Sequence, residues 1–96
     1  MEISLNKKVI VISGGTKGVG KQLALQCAAD GAQVIISGRD EASAASIIDA
    51  AKDLSGSIEF KKTDLHSVQS IRELFGYVAG KYNKLDGFVN YAGITP

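Results

Sequence analysis

The junction between residues 9 and 20 constrains this sequence most. The β-branched run Val9-Ile10-Val11-Ile12 reaches Ser13, passes through Gly14-Gly15-Thr16-Lys17-Gly18, and gives way at Val19 to residues with helical spacing. A continuous aliphatic run with no polar alternation reads as a strand buried on both faces. Glycines between such a strand and a helix permit positive φ angles and remove the Cβ atoms that would keep a ligand away from the backbone. A helix start also offers unpaired N–H groups and a partial positive charge. A strand, a glycine turn and a helix in that order therefore suit a phosphate group.

The rest of the chain repeats the alternation. Strands are expected at Val9–Ser13, Gln33–Ser37, Ile58–Lys62 and Leu85–Asn90. The first helix is expected from Val19 to about Ala29, with Val19, Leu23 and Cys27 four apart on one face and Gly31 at its C-terminal cap. The second runs from Glu41 to Leu54 on Ala44, Ile47, Ile48, Ala51 and Leu54, and Gly56 closes it. The third, from Ser67 to Tyr82, carries Val68, Ile71, Leu74, Phe75, Val78 and Tyr82 as a single stripe. This β-α-β-α-β-α-β alternation implies the α/β class: a parallel sheet, right-handed crossovers and helices on both faces. No helical pattern follows the fourth strand, so the sheet is expected to be truncated there.

Composition narrows the function classes. At 96 residues the chain is long enough for one domain and too short for two cores. Eleven Lys and Arg against ten Asp and Glu leave a net charge of +1, which supplies no basic field for nucleic acid or an anionic membrane. The one cysteine, Cys27, cannot form an internal disulfide, as suits a reducing compartment. No long apolar run follows Met1-Glu2, so neither a signal peptide nor a membrane span is expected, and the protein is placed in the cytoplasm.

Three glycine patterns compete at the first junction. The dinucleotide spelling G-x-G-x-x-G fails, because Gly14 and Gly15 are adjacent and no third glycine stands at the right offset. The triphosphatase spelling G-x-x-x-x-G-K runs from Gly15 to Lys21, but Gln22 then takes the place of the hydroxyl that would ligate magnesium. What fits in full is G-x-x-x-G-x-G, through Gly14, Gly18 and Gly20. Here the chain resembles the short-chain dehydrogenase/reductase family, whose motif reads T-G-x-x-x-G-[IV]-G. Ser13 keeps the hydroxyl, Val19 the apolar position, and residues 20–32 follow that family's first helix in register. The resemblance implies a partial Rossmann fold with sheet order 3-2-1-4 and binding of a nicotinamide dinucleotide through Gly14, Thr16, Lys17, Gly18, Val19 and Gly20.

A group that contacts the adenosine ribose is expected about 20 residues past the motif, where the second strand ends. Arg39 stands nineteen residues after Gly20, preceded by Ser37 and Gly38. A guanidinium there pairs with a 2′-phosphate, whereas a carboxylate would bind free ribose hydroxyls and repel the phosphate. Lys17 is a second cation within the turn. The resemblance agrees, since NADP-preferring members are basic at both positions, so NADP is expected over NAD.

The resemblance also carries over Asp64-Leu65 after the third strand, the carboxylate accepting from the adenine amino group. Asp64 could equally satisfy N–H groups before the third helix, and the two roles can coexist. His66, the only histidine, reads as a surface or capping residue. Asn90, Ala92 and Gly93 match the family's V-N-N-A-G, where small residues let the backbone run along the cofactor's ribose. Tyr91 stands where the family has a second Asn.

Tyr77-Val78-Ala79-Gly80-Lys81 spells the family's catalytic Y-x-x-x-K, but it precedes the fourth strand, whereas the family's follows it. No residue is therefore assigned to catalysis and none to a metal. The family's Ser, Tyr and Lys are expected beyond Pro96. Two readings stay open: the cofactor-binding half of a longer NADP-dependent oxidoreductase acting on a carbonyl or alcohol, or a short chain that only binds the dinucleotide. In either case the free side of the fourth strand is expected to drive self-association.

Overall fold

The computed structural model describes residues 5–14, 18–64 and 66–90. Its elements follow the order β1 (Val9–Ser13), α1 (Gly18–Ala29), β2 (Gln33–Gly38), α2 (Glu41–Ala50), β3 (Ser57–Lys62), α3 (Val68–Tyr82) and β4 (Gly87–Asn90). The strands form one sheet in the order β3-β2-β1-β4, and every neighbouring pair is parallel. This is the 3-2-1-4 arrangement of a Rossmann-type fold.

Alternation along the strands divides the interior in two. Ile12, Val34, Ile36 and Ile58 meet Ala24, Cys27 and Ala28 of α1 and Ile47 of α2. Val9, Val11 and Ile35 point the other way, onto Leu74 and Val78 of α3. β1 and β2 are buried on both faces, as their unbroken aliphatic runs require. β3, at the edge, carries Glu59, Lys61 and Lys62.

Four local expectations are corrected. The buried face of α1 is Gly20, Ala24, Cys27 and Ala28, while Val19 is 67% exposed and Leu23 only half-buried. Small residues let this helix lie close to the sheet, so side-chain volume misleads here about which face is inward. α2 ends at Ala50 rather than Leu54: Lys52 N–H donates to Asp49 O and Leu54 N–H to Ala51 O, the tighter bonding of a terminating turn. Leu54 still packs against the α1–α2 core.

β4 begins at Gly87 rather than Leu85. Asp86 joins β1 through its backbone and its side chain together, its N–H donating to Val9 O at 2.8 Å and its carboxylate accepting from Val9 N–H at 2.8 Å. That second bond, helped by Lys84, holds the Asp86 carboxyl below the usual carboxylate range. On α3, Leu74 and Val78 are buried but Val68 and Phe75 are exposed. Phe75 instead meets the exposed ring of Phe88 on β4, with centroids 5.5 Å apart.

Candidate functional site

The C-terminal ends of the strands gather the residues of interest. β1 runs into Gly14, whose φ of 80° suits glycine and whose N–H donates to Ser37 O of β2 at 2.9 Å. α1 opens at Gly18, with φ of 56°. A Cβ added at Gly18 would meet nothing within 4 Å, so space lies open beside the helix start. The first turn of α1 contains no acidic residue to neutralise its partial positive charge. Val19 faces solvent beside it, and Gly20 is buried against the sheet.

Ser13 lies in register with Ser37 on one side and Asn90 on the other, so three polar residues cross the sheet at its C-terminal margin. Ser13 and Ser37 are fully buried, and neither hydroxyl has a hydrogen-bond partner among the described residues. An unpaired buried hydroxyl is a net loss to stability. Asn90, the last residue of β4, is exposed.

Arg39 stands exposed just past β2. Its acidic neighbour Asp40 turns toward α2 and caps it, one carboxylate oxygen accepting from Ser43 N–H at 3.0 Å and the other from Ser43 Oγ at 2.6 Å. Asp64, half-buried past β3, accepts from His66 N–H at 2.9 Å, and its own N–H donates to Ser70 Oγ at 2.8 Å. Its carboxylate therefore does tie down the turn before α3. His66 is exposed, and Ser67, not His66, caps α3 by accepting from Ser70 N–H. Thr16, Lys17, Leu65, Ala92 and Gly93, with Tyr91, lie outside the described residues.

The Tyr77–Lys81 pair has a different setting, away from the strand ends. Tyr77 and Tyr82 both donate their hydroxyls to Glu59 of β3, and Lys81 Nζ lies 2.7 Å from the same carboxylate and 3.3 Å from Tyr77 Oη. Burial pushes the Glu59 carboxyl up, but hydrogen bonds from Lys81, Tyr77 and Tyr82 outweigh it and hold it below the usual range. Glu59 in turn raises Lys81, and burial with Glu59 pushes Tyr82 up to about 12. The cluster fastens edge strand β3 to α3. Glu59 was not singled out in the sequence; its place between inward-facing Ile58 and Phe60 puts it on the α3 face, and that was the available signal. Among the described residues no His, Cys, Asp and Glu gather into a metal-binding group.

Comparison with known proteins adds an independent line. The short chain dehydrogenase family profile matches residues 8–96. The 3β-hydroxysteroid dehydrogenase of Mediterraneibacter gnavus is 36% identical over 90 residues, covering 94% of this chain and 33% of that protein. The structure of a short-chain type dehydrogenase/reductase from Mycobacterium ulcerans superposes with a TM-score of 0.90 at 27% identity, covering 98% of this chain and 35% of that one. The Pseudomonas aeruginosa RhlG/NADP active-site complex gives a TM-score of 0.83 at 29% identity, covering 97% and 37%. This chain spans about a third of the length of each of these three proteins.

Proposed function

The chain belongs to the short-chain dehydrogenase family, and we propose that it is the NADP(H)-binding part of an oxidoreductase that moves hydride between that cofactor and a carbonyl or alcohol. The observation that carries this reading is the junction of β1 and α1. Two glycines at positive φ flank the turn, the space beside Gly18 is open, and the start of α1 is free of acidic side chains. These features fit a pyrophosphate, which needs close backbone approach and N–H donors at a helix start. When bound, the nicotinamide would supply the hydride to a carbonyl or accept it from an alcohol.

The chain's own residues bind and orient. The turn from Gly14 to Gly20, with Thr16, would hold the pyrophosphate, Val19 would cover one side of it, and Lys17 would reach toward the 2′-phosphate. Ser37, expected at the cofactor, is fully buried and would support the end of β2 from beneath, while Arg39 would pair with the 2′-phosphate. Asp64 would accept from the adenine amino group with the carboxylate that also braces His66 N–H, and Leu65 would pack on the ring. Asn90, Ala92 and Gly93 would border the ribose next to the nicotinamide. The engagement of Tyr77 and Lys81 with Glu59 supports leaving this pair out of the reaction.

The same reading makes the 96 residues one cofactor-binding domain of a longer enzyme and assigns the carbonyl or alcohol substrate to that enzyme. It also includes association of like chains. A cytoplasmic setting suits the free thiol of Cys27, and no helix among the described residues is long and apolar enough to cross a membrane. Preference for NADP is supported by Arg39 and by the likeness to a protein solved with NADP.

Titration calorimetry with NADP(H) and NAD(H) tests the proposal, with Arg39→Asp as the reversing variant. Tighter binding of NADP(H) by the parent, weakened in Arg39→Asp, is expected. Equal affinities in the parent would overturn the NADP assignment, and absence of binding to both would overturn the cofactor role. Gly18→Val should abolish binding while circular dichroism still shows an α/β domain.

A further inference from the structure

β2 and β3 end side by side. Gly38 pairs with Lys62 in the parallel register, and Thr63 N–H donates to Gly38 O at 2.8 Å. Neighbouring strands lie roughly 4.8 Å apart, so the backbone of Lys62 is that close to the residue preceding Arg39. The two lysines that end β3 leave on opposite faces. Lys61 shares the α3 face with Glu59 and lies over the Tyr77 ring at 5.4 Å. Lys62 alternates with Ile58 and Phe60, which pack on the α1–α2 core, and so leaves on the side of the helix that opens at the glycine turn.

Three of the described cations are paired with a carboxylate, and Lys62 and Arg39 are not among them. Lys52, Lys81 and Lys84 each have a carboxylate partner. Lys62 and Arg39 are exposed and have no ion-pair partner among the described residues. Both carboxylate oxygens of Asp40, the acid next to Arg39, accept from Ser43 at the start of α2. Glu41, exposed in the first turn of α2, is the next acid along.

We propose that Lys62 is a further cation of the 2′-phosphate site, an ammonium on β3 opposite the guanidinium on β2, and that it adds to the preference for NADP(H) over NAD(H) that Arg39 confers. This rests on the dinucleotide reading above. The ligand chemistry that fits is a phosphomonoester, whose charge exceeds what one guanidinium can balance. Arg39 offers a planar fork for two of its oxygens, and Lys62 adds a mobile point charge. An acidic or neutral residue at position 62 would leave ribose hydroxyls tolerated and the phosphate under-compensated.

The test is calorimetric titration of the parent, Lys62→Gln, Lys62→Arg and Arg39→Gln with NADP+, NAD+, 2′,5′-ADP and 5′-AMP. Lys62→Gln should weaken NADP+ and 2′,5′-ADP about fivefold, the scale of a partly screened charge contact. It should leave NAD+ and 5′-AMP unchanged, and Lys62→Arg should restore binding. The gap between parent and Lys62→Gln should shrink as salt rises to about 0.5 M. If Arg39→Gln loses the preference while Lys62→Gln keeps it, Lys62 has no part in the site and the NADP reading stands. If Lys62→Gln weakens all four compounds alike, its effect is structural and the proposal fails. If the parent itself does not distinguish the 2′-phosphorylated compounds, both readings fall.

Discussion

Replacing Gly56 with alanine should damage this fold more than its position in a surface turn suggests. Gly56 carries the chain from α2 into β3 across the corner where α1 ends and β2 begins. Its N–H donates to Ala28 O at 2.7 Å, and the next N–H, of Ser57, donates to Ala32 O at 3.0 Å. A Cβ at Gly56 would stand 1.9 Å from Ala32 O and 2.8 Å from both Ala28 O and Ala32 N. All three are backbone atoms, so the strand entry must retreat by about 1.5 Å, from 1.9 Å to an ordinary 3.4 Å. Both hydrogen bonds are then lost or badly stretched, and with the strain the cost comes to about 3–4 kcal/mol. A small domain has about 5–10 kcal/mol in total, so a third or more of its stability would go. Urea unfolding followed by circular dichroism should show the midpoint falling by about 2 M or more. Gly76 and Gly80, in the interior of α3, are the internal controls. A Cβ at either meets nothing within 4 Å, and alanine there should stabilise by about 0.5–1 kcal/mol. A Gly56→Ala protein within about 1 kcal/mol of the parent would refute the reasoning, because the corner would then be free to open without loss.

Glu59→Gln should cost about 1–2 kcal/mol by weakening the charge-assisted bonds that fasten β3 to α3. Because the folded Glu59 carboxyl titrates below its ordinary 4.5, its contribution is complete above that pH and is lost as pH falls through the lowered value. The variant's acid unfolding curve should therefore be flatter than the parent's in that window. Asp40→Ala removes the cap of α2 and should cost about 1 kcal/mol by urea unfolding. The isolated chain should self-associate through Gly87–Asn90 and the exposed Phe75–Phe88 pair, giving dimers or larger species by sedimentation equilibrium. Phe88→Lys should shift it toward monomer, and a parent that is monomeric at micromolar concentration would contradict this.

The alternation of strands and helices and the glycine junction were legible in the sequence because they rest on strong, local signals, whereas the strand order came only with the family resemblance. Val9–Ile12 and Val34–Ile36 are apolar without interruption, as only doubly covered strands are, and Gly14 and Gly18 do stand at positive φ. What was not legible depended on tertiary distance. Gly20, Ala24 and Ala28 form the inner face of α1 because the helix lies close to the sheet, and nothing in the spacing of Val19, Leu23 and Cys27 reveals that distance. Phe75 and Val68 belong to the apolar pattern of α3 but border the β4 side, where no described element covers them. The start of β4 was hidden because Asp86 acts through its carboxylate, a strand-entry contact with no sequence period. Tyr77 and Lys81 spell a catalytic pair and meet each other, yet Glu59, eighteen positions before Tyr77 in the chain, decides what they do.

Cys27 gives the fold a built-in clock. The thiol is 6% exposed on the inner face of α1, and burial, reinforced by Asp30, raises its pKa, so the reactive thiolate is scarce while the helix is seated. A thiol reagent can label it only during excursions in which α1 lifts from the sheet, and the labelling rate then reports how often that happens. The N-terminus of the same helix forms one wall of the proposed phosphate site. A cofactor that must leave before α1 can lift would slow labelling by about one hundredfold at a concentration one hundred times its Kd. Binding, helix opening and thiol chemistry can thus be timed on one atom, without following any turnover.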